Sequence, residues 1–364
     1  MTNNLAIAPD LLDILPYNLD HHAKQELILP HLQKLTHHHY HHSSTYRNII
    51  DRVFGGLDHS NYSSLDQIPF FPVSLFKTQD LVSVQPDEVI KVLTSSGTTG
   101  QGVSKVYLDR ETANLQSQVL VKIMQHFLGK DRLPMVIIDH PGVIKDRRSY
   151  SARGAGILGM MQFGRKPFYA LNDDMTLNIE ALQAYLTEVG DKPIFFFGFT
   201  FMVWQYFIQV LQSSNIQLDL KNSTLIHSGG WKKLESIAVS SAEFREQLSK
   251  QTQIKQCLNF YGMVEQVGSI FFENPLQYLH APIYSDIIIR DPITLKSLPD
   301  GEVGLIQVLS ILPHSYPGHS ILTEDLGVIR GVDSPNSEMK GRYFEVIGRV
   351  PKSEVRGCSD TFST

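Results

Sequence analysis

The feature that most constrains this chain is an alternation that begins near Val89. Short apolar runs, VIKVLT, PMVIID, PIFFFGF, STLIHSGG, QCLNFYG and VGLIQVLS, are set apart by glycine-rich or charged turns. Between several of them lie stretches with apolar residues three or four apart, TANLQSQVLVKIMQHFLG, NIEALQAYLTEVG and SAEFREQLSK. The first pattern suits strands, and the second gives a helix one apolar face. Strands alternating with helices build a largely parallel sheet, so the chain reads as α/β. From about Pro282 the pattern turns to β with short connections, as in SDIIIRD, GEVGLIQVLS and LGVIRG. Ahead of the alternation, residues from about Pro9 to Phe54 read as helices: LLDIL, then one longer amphipathic run ended by Gly55 and Gly56. No internal repeat or low-complexity linker marks a boundary.

The bulk numbers exclude several classes. Hydrophobic residues at 42% and charged residues at 19% describe a folded chain with a real core. A formal charge of −5 gives no general attraction for phosphate backbones, so no nucleic-acid partner is expected. No stretch approaches the roughly 20 apolar residues of a transmembrane helix. The start, MTNNLAIAPDLLDIL, lacks the basic opening and small-residue cleavage site of a signal peptide, which predicts a cytoplasmic protein. The two cysteines, Cys257 and Cys358, cannot make a disulfide framework. His37, His38, His39, His41 and His42 crowd one helical segment. Adjacent helical residues point about 100° apart, so these rings do not converge on one ion, and a solvated helix face is expected instead.

Five short motifs can carry chemistry. Leu93 to Gly100, LTSSGTTG, follows a strand and sets two glycines among five hydroxyl residues. Such a loop lets backbone N–H groups and hydroxyls surround a phosphate, although serine-rich turns also occur without one. It lacks the GxxxxGK[ST] spacing of a Walker loop. Asn259 to Gln266, NFYGMVEQ, places Tyr261 and Glu265 in one turn, where a ring can stack on a purine and a carboxylate can hold Mg²⁺ against phosphate. A buried tyrosine and a surface glutamate are the plainer alternative. Ser228, Gly229, Gly230 and Trp231 leave a strand end open to a flat ligand. In TEDLG, Asp325 can accept both hydroxyls of a ribose, and Gly348 and Arg349 lead into VPKSEVRG.

The set TSSGTTG, SGGW, YGMVE, TEDLG and GR followed by EVRG stands in the order used by the adenylate-forming superfamily of acyl ligases, which it resembles. The chain is more closely similar to the acyl-protein synthetase (fatty acid to luciferin-component ligase) family, through SSGTTGQGVSKVYLDRET, SARGAGILGM, FFFGFTFMVW, HSGGWKK, YGMVEQVGSIFFE and EVRGCSD. That resemblance covers nearly the entire chain. It implies a large adenylate-forming domain with mixed, largely parallel sheets flanked by helices and a C-terminal β region. The expected division is a helical lead-in over 1–75, an AMP-binding domain over 76–347, and a hinge remnant with a tail over 348–364. By resemblance, Ser95, Ser96, Gly97, Thr98, Thr99 and Gly100 surround the phosphates of ATP, and Lys105 adds charge. Gly229, Gly230, Tyr261 and Gly262 belong to the nucleotide site, Glu265 to Mg²⁺, and Asp325 with Arg349 to the ribose.

Two departures from the superfamily pattern stand out. Val264 occupies the place where a threonine often touches the α-phosphate. The chain ends at Thr364, soon after Arg349, which implies that the usual lid domain is lacking, as in the shorter synthetase family. In that family a cysteine near the C-terminus resembles Cys358, which is then the acyl acceptor that delivers a thioester to a partner acyl reductase. Arg356 beside it favours the thiolate. Cys257 sits in an apolar strand and reads as core. The carboxylic acid is expected against Phe199, Phe201, Met202 and Trp204, with His140 bordering it, although phenylalanine-rich strands are also ordinary core. Two other readings fit the same motifs: an acyl- or aryl-CoA ligase using free CoA, and a non-catalytic scaffold.

Overall fold

A computed structural model describes residues 9–57, 62–95, 102–144, 152–231 and 238–350. In chain order the elements begin with α1 (His21–His42), α2 (Ser44–Phe54), β1 (Phe71–Pro72), α3 (Leu75–Thr78), β2 (Lys91–Thr94), β3 (Lys105–Leu108) and α4 (Arg110–Leu128). There follow β4 (Leu133–Ile137), α5 (Ala152–Met161), β5 (Gly164–Tyr169), α6 (Ile179–Val189), β6 (Phe195–Phe199) and α7 (Thr200–Val203). Next come α8 (Gln209–Ser213), β7 (Thr224–Ser228), α9 (Ser241–Thr252) and β8 (Gln256–Tyr261). The chain finishes with β9 (Phe271–Glu273), β10 (Leu279–His280), β11 (Ser285–Arg290), β12 (Gly304–Ser310), β13 (Ser320–Val332) and β14 (Arg342–Arg349). The described residues fall into two compact units, one formed by the chain up to His126 and again from Tyr261, the other by Phe127–Phe260.

The second unit is the α/β alternation expected from the sequence. Its strands pair in parallel in the order β5, β4, β6, β7, β8, with Phe197 opposite both Ile137 and Ile226. Every residue of β6 is buried, as is nearly all of β4 and β7, which is why these strands appear as unbroken apolar runs. The edge strand β5, GRKPFY, escaped the sequence reading because its middle three residues are exposed and two are charged. Charged residues blunt a sheet edge, so the signal that hides the strand is the one that protects it.

The first unit is built on antiparallel pairs in the order β11, β12, β13, β14, β10, β9, with β1 parallel to β13 and a separate β2–β3 hairpin. Phe271, Ile287, Ile306, Val308, Ile329 and Phe344 share its β core. A second cluster joins Tyr46 and Ile50 of α2 to Phe71, Phe76, Val106, Tyr316 and Ile321, which ties the N-terminal helices to the hairpin and to β13.

The long amphipathic run is two helices. Ser43 ends α1, its N–H donating to the His39 carbonyl, and its hydroxyl then accepts from Tyr46 N to start α2. A residue able to cap in both directions lets the chain turn without leaving end groups unpaired. Gly55, at φ 77°, closes α2 in the left-handed conformation glycine favours. The histidine-rich face is not solvated at His39, which corrects the expectation for that segment. His39 is fully buried on the stripe Ile28, Leu32, Leu35, its ring nitrogens 2.8 Å from Ser83 Oγ and 3.0 Å from the Pro313 carbonyl. It stacks on His319 with centroids 5.0 Å apart. Burial, and next the neighbouring histidines, hold its pKa well below the usual range, so it is a neutral core residue. Among the described residues no helix is long and apolar enough to cross a membrane.

Candidate functional site

In the first unit the site grows from the end of β8. Tyr261 is its last residue, and a 3-10 turn, Val264–Gln266, follows. Gln266 fixes this turn from within: it is fully buried, and its amide donates to the carbonyls of Val308, at 3.1 Å, and Gly318, at 2.7 Å. Gly318 lies so close that a Cβ there would come 2.9 Å from the Glu265 carbonyl oxygen. Glu265, in the middle of the turn, is 6% exposed. Burial raises its pKa, and the nearby Ser104 hydroxyl, Lys77 and Arg349 pull it back down. A buried carboxylate is suited to bind a cation, since an uncompensated buried charge is costly. One carboxylate is what magnesium asks of a protein when phosphate and water complete its shell.

Two long strands place the next pair. Asp325 on β13 lies directly opposite Arg349 on β14, beside a bulge, and Arg349 Nε donates to Asp325 Oδ1 at 2.8 Å. Tyr261 donates its hydroxyl to Asp325 Oδ2 at 2.7 Å. Thr323 Oγ1 accepts from the Asp325 N–H at 3.1 Å and keeps the carboxylate's backbone in place. Burial, and then Asp325, hold the Tyr261 phenol well above its ordinary pKa, so it remains a donor. The Tyr261 ring packs edge-on against Phe344 with centroids 6.3 Å apart. Tyr261, Glu265, Asp325 and Arg349 all belong to the first unit, where Asp325 pairs with both Tyr261 and Arg349.

The hairpin carries the rest of the phosphate motif that can be located. Ser95 N donates to the Ser104 carbonyl at 3.1 Å, and Ser104 N donates to Ser95 Oγ at 2.9 Å, which pins the hairpin's open end. Ser96, Gly97, Thr98, Thr99 and Gly100 lie outside the described residues, as does Cys358. Lys105 is half exposed and faces Asp80, with Nζ 3.6 Å from Oδ1.

In the second unit the predicted substrate residues surround the end of β6. Phe199, Phe201, Met202 and Trp204 are all buried. The Phe199 ring touches two glycines: a Cβ on Gly156 would meet its Cζ at 3.0 Å, and one on Gly229 would meet Cδ1 at 3.3 Å. Gly229, at φ 84°, and Gly230 are exposed just beyond the carboxyl end of β7, where parallel sheets offer their ligand crevice. His140 lies 3.6 Å from Asp173 and 3.9 Å from Asp139. Buried Asp139 also holds Arg153, at 3.1 Å, and Arg153 reaches the Met202 sulfur at 3.8 Å. This charged pair behind the apolar residues was not singled out from the sequence. The fragment SARGAGILGM contains Arg153 and Gly156, but no periodicity ties it to Asp139. Cys257 is buried, as expected for a core residue.

The crystal structure of an open conformation of 2-hydroxyisobutyryl-CoA ligase in complex with 2-HIB-AMP and CoA matches this chain with a TM-score of 0.69, covering 97% of it and 81% of that chain. At 16% identity the likeness speaks for the fold, that of adenylate-forming ligases. The long-chain-fatty-acid–luciferin-component ligase of Aliivibrio fischeri is 24% identical over 331 residues, 88% of this chain and 84% of that protein. The ligase of the same name from Vibrio harveyi is 25% identical over 339 residues, 89% and 84% of the two chains. The family model described as acyl-protein synthetase, LuxE, matches residues 2–364. With that match running along nearly every residue, and with the fold and motif order agreeing, the chain belongs to the acyl-protein synthetase (LuxE) family.

Proposed function

We propose that the protein activates a fatty acid with ATP as an acyl-AMP and passes the acyl group to a protein thiol, first its own Cys358 and then a partner acyl reductase. The observation that carries the nucleotide half is the carboxylate of Asp325, held between Tyr261 and Arg349 in the same unit as buried Glu265. Both Asp325 oxygens are oriented by donors and retain lone pairs for ribose hydroxyls. Tyr261 offers its ring to the adenine. The names of the two bacterial relatives supply the acyl half of the reading.

Adenylation has a carboxylate oxygen attack the α-phosphorus of ATP while the bond to pyrophosphate breaks. The obstacle is repulsion between two anions and the charge that builds on phosphorus, so fixed positive groups matter more than acid–base residues. Glu265 would hold a magnesium ion, which when bound would supply part of that positive charge. Arg349, anchored by Asp325, adds a fixed guanidinium. In the second step the Cys358 thiolate attacks the acyl carbonyl and AMP leaves with the bonding pair, which forms the thioester. In the second unit, Phe199, Phe201, Met202 and Trp204 are the apolar side chains offered to the acid, with His140 as a further candidate.

The test is fatty-acid-dependent exchange of labelled pyrophosphate into ATP, run over acids from short hydroxy acids to long-chain fatty acids. Exchange that grows with an aliphatic chain is the expected result. No exchange with any acid would remove the adenylation reading.

A further inference from the structure

Asp139 lies just past the end of β4 in the second unit and is 1% exposed. Its own backbone is tied down on both sides: Oδ1 accepts from the His140 N–H at 2.8 Å, and its carbonyl accepts from the Leu171 N–H at 3.1 Å. Oδ2 lies 3.1 Å from Nε of Arg153, which is 5% exposed near the start of α5. A buried charge is tolerated where a partner of opposite sign holds it, so the pair registers α5 against the end of β4. Arg153 is the only charged residue of that helix, and it shares a face with Gly156, Ile157 and Met160.

That face meets two of the side chains offered to the acid. Arg153 Nη1 donates to the Met202 sulfur at 3.8 Å. A turn further along α5, a Cβ at Gly156 would come 3.0 Å from Phe199 Cζ, so the helix backbone lies against the ring. The same ring is approached by Gly229, where a Cβ would come 3.3 Å from Cδ1. Phe199 is thus bounded by the backbone of two segments, whereas Met202 is held through its sulfur.

We propose that Arg153 is a positioning residue which, anchored by Asp139, fixes Met202 and seats α5 against Phe199, and so sets the length of aliphatic acid the enzyme accepts. This deepens the adenylation reading and rests on it, with the acid placed against Phe199 and Met202. Methionine is unbranched and turns about three side-chain bonds, so left to itself it repacks around whatever it meets. Surfaces built on mobile methionines accept many partners. A thioether held by a fixed guanidinium gives the wall one depth instead. The charge of Arg153 is matched by Asp139, which suits holding the wall rather than drawing in the acid's carboxylate.

The variants Arg153→Lys, Arg153→Met, Met202→Leu and the double variant Arg153→Met with Met202→Leu are compared with wild type in pyrophosphate exchange over saturated acids of increasing length, with thermal melting alongside. Wild type should show a maximum in kcat/KM at one length. Lysine keeps a charge for Asp139 but lacks the planar fork that reaches the sulfur. Arg153→Lys should therefore melt near wild type while its profile flattens: the best acid loses about tenfold through KM, longer acids lose less, and KM for ATP is unchanged. Arg153→Met should flatten the profile as much and also melt lower, because Asp139 is left buried without its partner. Met202→Leu keeps the volume and removes the sulfur, so it should flatten the profile too, and the double variant should flatten it no further. An unchanged profile in both Arg153 variants would overturn the proposal. So would a loss uniform across all acids, which would mark a purely structural ion pair, or additive effects in the double variant, which would separate Arg153 from Met202. Absence of exchange in wild type with every acid would instead remove the adenylation reading, and this proposal with it.

Discussion

Replacing Asp325 by alanine separates the ribose-binding role from the structural one. The carboxylate accepts one hydrogen bond from the Tyr261 hydroxyl, at 2.7 Å, and one from Arg349 Nε, at 2.8 Å. Its side chain is 13% exposed, whereas Arg349 is 38% exposed. Without Asp325 the enclosed Tyr261 hydroxyl loses its acceptor, a cost of about 1–3 kcal/mol. The solvent-reached guanidinium can turn to water, so its share is at most about 1 kcal/mol. The folded protein should therefore lose about 1–4 kcal/mol by urea unfolding and still fold. Binding should suffer more. Two hydrogen bonds from ribose hydroxyls to a charged acceptor are worth about 1.5–3 kcal/mol each, so KM for ATP in the exchange assay should rise by roughly 10² or more. Tyr261→Phe is the control, because it removes the donor and keeps the carboxylate: a stability loss of about 1 kcal/mol, with ATP KM rising less than about tenfold. An Asp325→Ala protein with stability lowered as stated but ATP KM within about threefold of wild type would refute the ribose assignment, since a single lost charged hydrogen bond already costs about tenfold.

Glu265→Gln should lower pyrophosphate exchange by roughly 10² to 10³. Burial raises the pKa of Glu265, so the folded state holds this proton more tightly than the unfolded one, and its stabilising share is lost as pH rises through the folded pKa. At neutral pH the ligand-free variant should consequently melt higher than wild type, a gain in stability at the expense of activity that scanning calorimetry would register. The buried histidines act in the other direction. Burial lowers His38 and His314 to about 4 and His319 to about 3, and His39 lies well below its usual value. Their neutral forms stabilise the fold fully above the unfolded value of about 6.5, and that stability drains away as pH falls from there toward 4. Melting temperature between pH 7 and about 4.5 should fall with uptake of more than one proton, and His39→Gln should flatten the slope.

What could be read from the sequence follows burial. Strands β4, β6 and β7 are covered on both faces and stand out as apolar runs, whereas β5 carries charge and does not. The candidacy of Tyr261, Glu265, Asp325 and Arg349 was legible because each sits in a short motif, and the motifs occur in a fixed order. Their geometry was not, since placing Asp325 opposite Arg349 depends on the register of two strands and a bulge. His39 was misjudged because Ser83, Pro313 and His319, which enclose it, are remote in sequence.

Acylation of the protein itself most directly decides whether this chain works as an acyl-protein synthetase. Purified protein is incubated with ATP, Mg²⁺ and clickable fatty acids, and the label is followed by gel and intact mass in wild type and Cys358→Ala. The expected result is one acyl group per chain, released by hydroxylamine and absent from Cys358→Ala, with pyrophosphate exchange intact in both. ATP- and acid-dependent AMP release with no label on the wild-type protein would contradict acyl transfer to Cys358 and move the acceptor to a free thiol or a separate carrier.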